Sequence, residues 1–225
     1  MEEKRKAPKT IKQKLRFFWD YYKWTVLLPI AVLIFLITFI TSYLEENKEP
    51  ALGIAVINAR DTTSFEAAVT EEYVRERQID TGKTPVRIES GILHPKVMDE
   101  TASTDTITVA GMQKYTAMLT NATIDVTVSP VWSVEEYEKA DAYCDLQELL
   151  PERIWGELEE NIIYCKDGSG KDVAVGVCIE DSFLLGEFYE EASPVLTVSA
   201  HSTRKEEAVL FIEWLLEKEN ILSGR

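Results

Sequence analysis

An uninterrupted apolar stretch near the N-terminus constrains this chain more than any other feature. Residues 24–44 read WTVLLPIAVLIFLITFITSYL, contain no charged side chain, and are bounded by Lys23 and Glu45. Twenty residues of α-helix extend about 30 Å, which matches the hydrocarbon thickness of a bilayer. Cleaved signal peptides have a shorter apolar core, buried helices seldom run this long without a charge, and interfacial helices are amphipathic. The stretch therefore predicts a transmembrane helix, the signal anchor of a single-pass membrane protein.

The charges on either side of this helix predict its orientation. Residues 1–23 hold eight Lys and Arg against three acidic residues, whereas residues 45–49 hold three Glu and one Lys. An excess of basic residues marks the cytoplasmic side of a membrane helix. Six aromatic side chains at 17–24 are typical of the belt at the membrane interface, next to lysines that contact lipid headgroups. We expect a cell-membrane protein with a cytoplasmic N-terminal head, a helix in the lipid bilayer, and an extracellular C-terminal domain.

The remainder of the chain is strongly acidic. The whole chain carries 24 basic residues (Lys and Arg) and 39 acidic residues (Asp and Glu). Eight of the basic and three of the acidic residues lie in residues 1–23. Residues 24–225 therefore hold 24 − 8 = 16 basic and 39 − 3 = 36 acidic residues, a net charge of −20. Nucleic-acid binding needs a basic surface, so this charge excludes nucleic acid as a partner. Its ordinary effect is solubility through self-repulsion, and attraction of cations or basic partners is the alternative. Residues 45–50 form a short tether, and residues 51–225 suffice for one sizeable core or two small lobes.

Beyond the tether, strand-like and helix-like patterns alternate. The run LGIAVIN at 52–58 is almost entirely apolar, as in a strand that is buried on both faces of a parallel sheet. The run IDVTVS at 124–129 alternates apolar and polar residues, which predicts a half-buried strand. Further strands and helices are predicted at about 86–93, 107–120, 145–151 and 194–199, with a hairpin around DGSG at 167–170. This order predicts an α/β domain with an inserted hairpin region.

Three Ser/Thr-x-x-Glu sequences predict the starts of helices. They begin at Thr63, Ser133 and Thr203, and each follows a predicted strand. In a capping box of this kind the hydroxyl accepts a hydrogen bond from a backbone N–H of the first helical turn. We therefore expect these three side chains to cap helices.

The three cysteines, Cys144, Cys165 and Cys178, all follow the membrane segment. An odd count allows at most one intramolecular disulfide, and the sequence leaves open whether any pair forms. The hairpin register predicts Cys165 opposite Asp172, so Cys165 and Cys178 are not directly opposed. No spacing of Cys and His resembles a zinc site, and neither a metal nor a cofactor is predicted. We expect all three cysteines to act as small buried apolar side chains.

Several segments resemble bacterial extracytoplasmic solute-binding proteins. QKYTAMLTNATIDVTVSP at 113–130 is similar to their helix and following strand, which an Asp opens and which leads into the ligand cleft. DAYCDLQELLPE at 141–152 resembles the segment that comes next, and residues 193–219 resemble their closing strand, small polar turn and last helix. The head, KLRFFWDYYKW, resembles that of single-pass membrane proteins of clostridia-type bacteria. The resemblance implies a transmembrane helix followed by an extracytoplasmic domain with a trimmed periplasmic-binding-protein fold.

Residues at the predicted strand ends are the candidate ligand contacts. In open α/β sheets, ligands bind beyond the carboxyl ends of the strands, where the N-terminus of the following helix can receive an anion. We expect these strand ends to converge on one edge of the sheet, with the tryptophan stacking on a ligand or closing the crevice. The alternative is that the polar residues only support turns and the tryptophan packs in the core. The candidates are Asn58, Ser129, Trp132, His201 and Ser202.

Two functions follow from these observations, and neither is enzymatic. The chain contains no G-x-S-x-G, no H-E-x-x-H and no Walker phosphate loop. A metal site built from His94 and His201, the two histidines, is the less favoured interpretation. The first hypothesis is a solute-binding-like domain that holds a small molecule or peptide in a cleft. The second is an interaction or assembly domain that works with a membrane protein partner. A concave pocket holding Trp132 and polar groups favours the first, and an exposed apolar patch favours the second.

Overall fold

The computed structural model describes residues 11–46, 48–96, 106–179, 182, 184, 185 and 193–219. The first ten residues of the predicted head, Asn47 of the predicted tether, and the last six residues of the chain lie outside the described residues. The chain divides into two compact units, Met1–Lys48 and Glu49–Arg225.

The first unit consists of one long helix, α1, which spans Ile11–Glu46. Its segment Trp24–Tyr43 is long and apolar enough to cross a membrane, as expected of a membrane anchor or a signal sequence. The helix also includes residues 11–23 of the predicted head. Within the apolar segment, the hydroxyls of Thr38 and Thr41 donate to backbone carbonyls one turn earlier, at 2.9–3.0 Å. These side chains therefore find their hydrogen-bond partners inside the helix, as a lipid environment requires.

The second unit is built on one six-stranded sheet with the spatial order β2-β1-β3-β6-β5-β4. β1 runs parallel to both β2 and β3, whereas β3, β6, β5 and β4 are joined by antiparallel pairing. The α/β class and the hairpin of β4 with β5 are as predicted, and the sheet is mixed. The strands are β1 Leu52–Ile57, β2 Val86–Ile92, β3 Val126–Pro130, β4 Ile162–Lys166, β5 Asp172–Cys178 and β6 Pro194–Val198.

Helices cover both faces of this sheet. One face packs against α2, α7 and α8, which bury Phe65, Ile154 and Phe211, and the other packs against α4 and α5, which bury Tyr115 and Val134. A π-helical stretch joins α2 to α3, and a 3-10 turn follows α7. The elements are α2 Thr63–Ala67, π-helix Ala68–Tyr73, α3 Val74–Glu76, α4 Thr106–Thr120, α5 Val131–Glu138, α6 Leu146–Leu149, α7 Glu152–Leu158, 3-10 turn Glu159–Asn161 and α8 Lys205–Lys218.

The segment around β3 is buried on both faces, so the expectation of a half-buried strand is wrong. Its polar positions, Asp125, Thr127 and Ser129, are all 0 % exposed. β3 lies between β1 and β6 under helices on both sides, so its side chains alternate between two cores. The Thr127 hydroxyl bonds to the Tyr115 hydroxyl at 2.7 Å, and the Tyr115 hydroxyl lies 3.1 Å from that of Tyr143. A polar network inside the protein therefore replaces the solvent that the alternating pattern suggested.

The helix starts differ from the predicted capping boxes. The largest difference is at α5, because Pro130 takes the extended backbone (φ −61°, ψ 152°) that suits the residue just before a helix. Ser133 consequently lies inside the first turn of α5 and caps nothing. The N-cap residues are Thr62 rather than Thr63 for α2, Pro130 rather than Ser133 for α5, and Arg204 rather than Thr203 for α8.

None of the three cysteines forms a disulfide; Cys165 is buried and the other two are half-buried. In the β4–β5 hairpin, Cys165 faces Val173 and Lys166 faces Asp172, one position away from the predicted register. The loop spans five residues, 167–171, because the Asp167 side chain accepts hydrogen bonds from the backbone N–H groups of both Ser169 and Lys171.

Candidate functional site

Three parallel strands bring their ends together at one edge of the sheet, which we call the carboxyl edge. Val56 of β1 pairs with Val128 of β3, and Ile57 pairs with Ile92 of β2. The residues that follow or complete these strands, Asn58, His94 and Ser129, therefore lie at this edge, as does α5, which follows β3 directly. Two of the three predicted strand ends meet here as expected from the topology of parallel strands.

The third predicted strand end lies at the opposite edge, so the expected convergence of all three is wrong. β6 runs antiparallel to β3, and its last residue, Val198, pairs with Val126 at the start of β3. His201 and Ser202 therefore lie at the amino edge, beside the start of the parallel strands. Ser202 is buried and His201 is exposed. The prediction assumed that β6 is parallel, and the order of strands along the chain does not determine that direction.

Asn58 positions the segment that follows β2. Its amide nitrogen donates to the His94 carbonyl at 2.6 Å, and its amide oxygen accepts from the His94 backbone N–H at 2.7 Å. Asn58 has φ +60°, a left-handed conformation that asparagine tolerates better than most residues. Both hydrogen-bonding groups of the buried Asn58 side chain are thereby engaged. Asn58 is thus a positioning residue of this edge, which holds His94 in place.

His94 is buried beside α5, where its surroundings favour the neutral form of the imidazole. Its ring centroid lies 5.6 Å from that of Tyr137 in α5. Burial lowers the pKa of the imidazole, and the nearby Glu136 carboxylate offsets this only in part. A neutral imidazole offers one N–H donor and one acceptor nitrogen. By hydrogen-bond geometry neither ring nitrogen has a partner within the described part of the chain, although the side chain is only 4 % exposed. The Pro95 backbone interacts with the ring too weakly to meet that geometry and has only a small raising effect on its pKa.

Three more buried polar atoms lie at the start of α5 without a hydrogen-bond partner in the described ranges. The Oγ atoms of Ser129 and Ser133 and the indole Nε1 of Trp132 have no hydrogen-bond partner among the described residues. Ser129 and Ser133 are 0 % exposed, and the Trp132 ring lies under the ammonium group of Lys96, 5.2 Å from its centroid. Each buried polar group that lacks a partner costs about 1–3 kcal/mol. We call Asn58, His94, Ser129, Trp132 and Ser133 the carboxyl-end cluster.

The groups of the carboxyl-end cluster that lack partners among the described residues are hydrogen-bond donors and acceptors. Its free atoms are two hydroxyls, one indole N–H and one neutral imidazole, all of which form hydrogen bonds with small polar molecules. In the described part of the chain, no group of three or more His, Cys, Asp and Glu side chains could hold a metal ion. Val131 and Lys96 are exposed, so the first turn of α5 is reachable from solvent.

A cleft of about 720 Å³ lies at the amino edge and borders Ser202. Its charged lining residues are mostly paired. The Arg77 guanidinium lies 3.6 Å from the Glu207 carboxylate, and Arg204 donates to the buried Asp125 at 2.9 Å. Ser202 itself donates to Asp125 at 2.6 Å. These side chains are engaged with one another, so the cleft presents less unmet hydrogen-bonding capacity than the carboxyl-end cluster.

Sequence reasoning identified Asn58, Ser129 and Trp132 but missed Ser133 and His94 as partners in one cluster. His94 follows a parallel strand in the same way as Asn58, so the same topological rule could have included it. Ser133 was hidden by its Ser-x-x-Glu pattern, which predicted a cap.

In comparisons with known proteins, no family model, no curated sequence and no solved structure matches this chain.

Proposed function

We propose that this protein is a membrane-anchored, extracytoplasmic domain of the solute-binding kind, which binds a small polar molecule at the carboxyl-end cluster. The observation that carries the proposal is the group of buried polar atoms on His94, Ser129, Trp132 and Ser133 that lack hydrogen-bond partners among the described residues. The charge asymmetry around the span supports the extracytoplasmic placement of the domain. The function is binding, and no chemical step is assigned to it.

The free-energy cost of these unpartnered polar groups supports ligand binding at the carboxyl-end cluster. Four polar side chains that lack partners in the described part of the chain, within two short segments, disfavour folding by several times about 1–3 kcal/mol in total. A destabilising arrangement of this kind persists in a protein when ligand binding offsets its cost. Residues at binding sites therefore often lower the stability of the fold. The position agrees with the general rule that open α/β sheets bind ligands beyond the carboxyl ends of parallel strands. A ligand at the first turn of α5 that forms hydrogen bonds with Ser129, Trp132 and Ser133 would offset part of this cost.

The proposal can be tested on the full-length protein in dodecyl maltoside micelles. Thermal unfolding is measured with a panel of small polar compounds, for the parent chain and for Ser133→Ala. Replacing a buried hydroxyl that has no partner by a methyl group removes a desolvation cost, so Ser133→Ala should raise the melting midpoint without ligand. The same substitution should abolish or strongly reduce the ligand-induced rise.

Ser199→Ala is the matched control. Ser199 is also 0 % exposed, and its Oγ also lacks a partner among the described residues, but it follows β6 at the amino edge. Without ligand, Ser199→Ala should raise the melting midpoint as Ser133→Ala does. With ligand, its melting midpoint should rise as much as that of the parent protein. A ligand response that survives Ser133→Ala and disappears in Arg77→Ala would move the site to the amino-edge cleft. A panel that gives no response would favour the interaction domain that works with a membrane protein partner.

A further inference from the structure

The first turn of α5 is an uncapped helix N-terminus. Pro130 precedes it and has no side-chain group that could accept a hydrogen bond, and no side-chain cap forms there among the described residues. The first turn of any α-helix leaves backbone N–H groups without partners inside the helix. No acidic side chain occupies this turn, so nothing on α5 itself neutralises the positive end of the helix dipole.

Side-chain donors surround the same turn. Ser133 is the third residue of α5, and Ser129 lies immediately before Pro130; both hydroxyls are fully buried and have no partner in the part of the chain that the structure describes. The Trp132 indole nitrogen can only donate a hydrogen bond, and it too lacks an acceptor there. The first turn of α5 thus combines backbone N–H groups with three side-chain donors that lack partners among the described residues.

Lys96 adds a positive charge beside the first turn of α5. The segment from His94 to Lys96 runs beside α5, with the His94 ring against Tyr137 near the end of the helix and the Lys96 ammonium over Trp132 in its first turn. Asn58 fixes the start of this segment through its two hydrogen bonds to the His94 backbone. The exposed Lys96 therefore places a positive charge next to the free donors of the first turn.

We propose that the ligand of the carboxyl-end cluster carries an oxyanion, a carboxylate or a phosphate, which binds to the first turn of α5 through these donors and Lys96. This inference rests on the proposed function and narrows it to a class of ligand. Oxyanions accept several hydrogen bonds at once, which matches a site made of donors, and helix N-termini stabilise them electrostatically.

The acidity of the protein opposes this ligand only at long range. Residues 24–225 carry a net charge of −20, but charges are screened beyond about 8–10 Å at physiological salt. The Glu136 carboxylate of α5, which interacts with His94, is itself paired with Lys139. The local donors therefore decide binding, and the net charge mainly slows the approach of the anion.

The test uses the full-length protein in dodecyl maltoside micelles, which contain no phosphate. Sodium phosphate and sodium acetate are titrated at ionic strength held constant with sodium chloride, and the melting midpoint is recorded. At least one of the two anions should raise the midpoint along a saturable curve.

Hydrogen bonds to charged groups contribute about 1.5–3 kcal/mol, so Ser133→Ala should weaken the apparent affinity by about 10- to 100-fold. Lys96→Gln, an exposed substitution that does not threaten folding, should weaken it by about three- to tenfold. Ser199→Ala should leave it unchanged.

A second arm distinguishes free anions from lipid headgroups. Phosphatidylglycerol is added to the micelles in place of phosphate or acetate. Stabilisation by this lipid alone that depends on Ser133 and Lys96 would assign the oxyanion to a headgroup and would support the inference. The inference is overturned if neither anions nor lipid stabilise the protein while a neutral polar compound does so through Ser133, a result that leaves the proposed function standing. It is also overturned if the anions stabilise the parent, Ser133→Ala and Lys96→Gln proteins equally.

Discussion

Asp125 and Ser202, which are 77 positions apart in the chain, are joined by a hydrogen bond of 2.6 Å between their side chains. The fully buried Asp125 carboxylate also accepts from the Gly53 backbone N–H at 2.7 Å and from the Arg204 guanidinium at 2.9 Å. It thereby connects β1, the start of β3 and the turn between β6 and α8. A side chain at Gly53 would collide with the backbone carbonyl of Thr123, so this close approach requires glycine. Ser202 therefore has a structural role at the amino edge.

The first prediction concerns this connection. Ser202→Ala leaves one Asp125 oxygen without its buried donor, so it should lower the free energy of unfolding by about 1–3 kcal/mol. Urea unfolding, followed by the circular dichroism of the full-length protein, measures this change. Asp172→Ala removes only an exposed ion pair with Lys166 and should change stability by less than about 0.5 kcal/mol. Equal effects of the two substitutions would contradict the structural role of Ser202.

The second prediction concerns the sheet interior. Ile54 is 0 % exposed and pairs with Ile88 and Val126 on the two neighbouring strands. Ile54→Asp places a carboxylate without a partner in the core that one face of the sheet forms with its helices, which costs several kcal/mol, on the order of the whole stability of a domain. The protein should lose its cooperative thermal transition. Ile107→Asp, at a position that is 72 % exposed, should keep that transition, and a cooperative Ile54→Asp protein would be incompatible with the placement of β1.

The third prediction concerns pH. Glu138 is 2 % exposed and accepts the Tyr143 backbone N–H at 3.1 Å. Burial raises the pKa of its carboxyl to about 7, with smaller contributions from Asp141, Asp167 and Asp145, and against the lowering effect of the Tyr143 hydrogen bond. Because the folded pKa lies above the ordinary value of 4.5, the contribution to stability is fully present below about pH 4.5 and is lost as the pH rises through about 7. The loss should be on the order of 2 kcal/mol.

Melting midpoints between pH 4.5 and pH 8.5 test this pH dependence. Glu138→Gln keeps an acceptor for the Tyr143 N–H but cannot ionise, so it should be more stable than the parent at pH 8.5 and should flatten the profile. Glu160→Gln, on the surface of the 3-10 turn, is the matched control and should leave the profile of the parent. If Glu138→Gln and Glu160→Gln gave the same profile, another group would be responsible.

The fourth prediction concerns the orientation of the membrane helix. Protease added to intact cells should remove the C-terminal domain, because the excess of Lys and Arg in residues 1–23 predicts a cytoplasmic head. An epitope tag at the N-terminus should survive the treatment, and a tag at the C-terminus should be lost. Permeabilised cells, in which both tags become accessible, provide the control. Protection of the C-terminal tag in intact cells would reverse the orientation.

The fifth prediction separates a binding role of Trp132 from a packing role. Trp132→Phe keeps an aromatic ring beneath Lys96 but removes the indole N–H, which has no acceptor among the described residues. Loss of one hydrogen bond to a ligand should weaken binding by about fivefold. The melting midpoint of the ligand-free protein should stay nearly unchanged, because the gain from removing an unpartnered N–H is offset by the smaller apolar area of the phenyl ring. Trp214→Phe is the control, because its indole already donates to Glu76 at 3.0 Å; it should lower stability and leave binding intact. A Trp132→Phe protein that melts several degrees lower and binds normally would show that Trp132 only packs.

Local patterns predicted the elements of the fold well. The apolar run at 52–58 became β1, and the helical spacing at 107–120 became α4, because burial of an apolar stretch depends mainly on its own composition. The helix starts were less predictable. Ser133 belongs to a Ser-x-x-Glu pattern, yet Pro130 starts the helix earlier, since a proline at the end of a central strand already has the backbone conformation that precedes a helix.

By itself, the sequence determined the apolar span, the acidic character of the rest of the chain, the α/β class and most of the candidate site at the carboxyl edge. Only the tertiary structure decided that β6 runs antiparallel to β3, which separates His201 and Ser202 from Asn58 and Ser129. It also decided that β3 is covered on both faces and that Ser133 and His94 join the carboxyl-end cluster. The physical reason is that strand direction and burial arise from contacts between residues far apart in the chain, such as Asp125 with Ser202, and no local pattern of polar and apolar residues encodes those contacts.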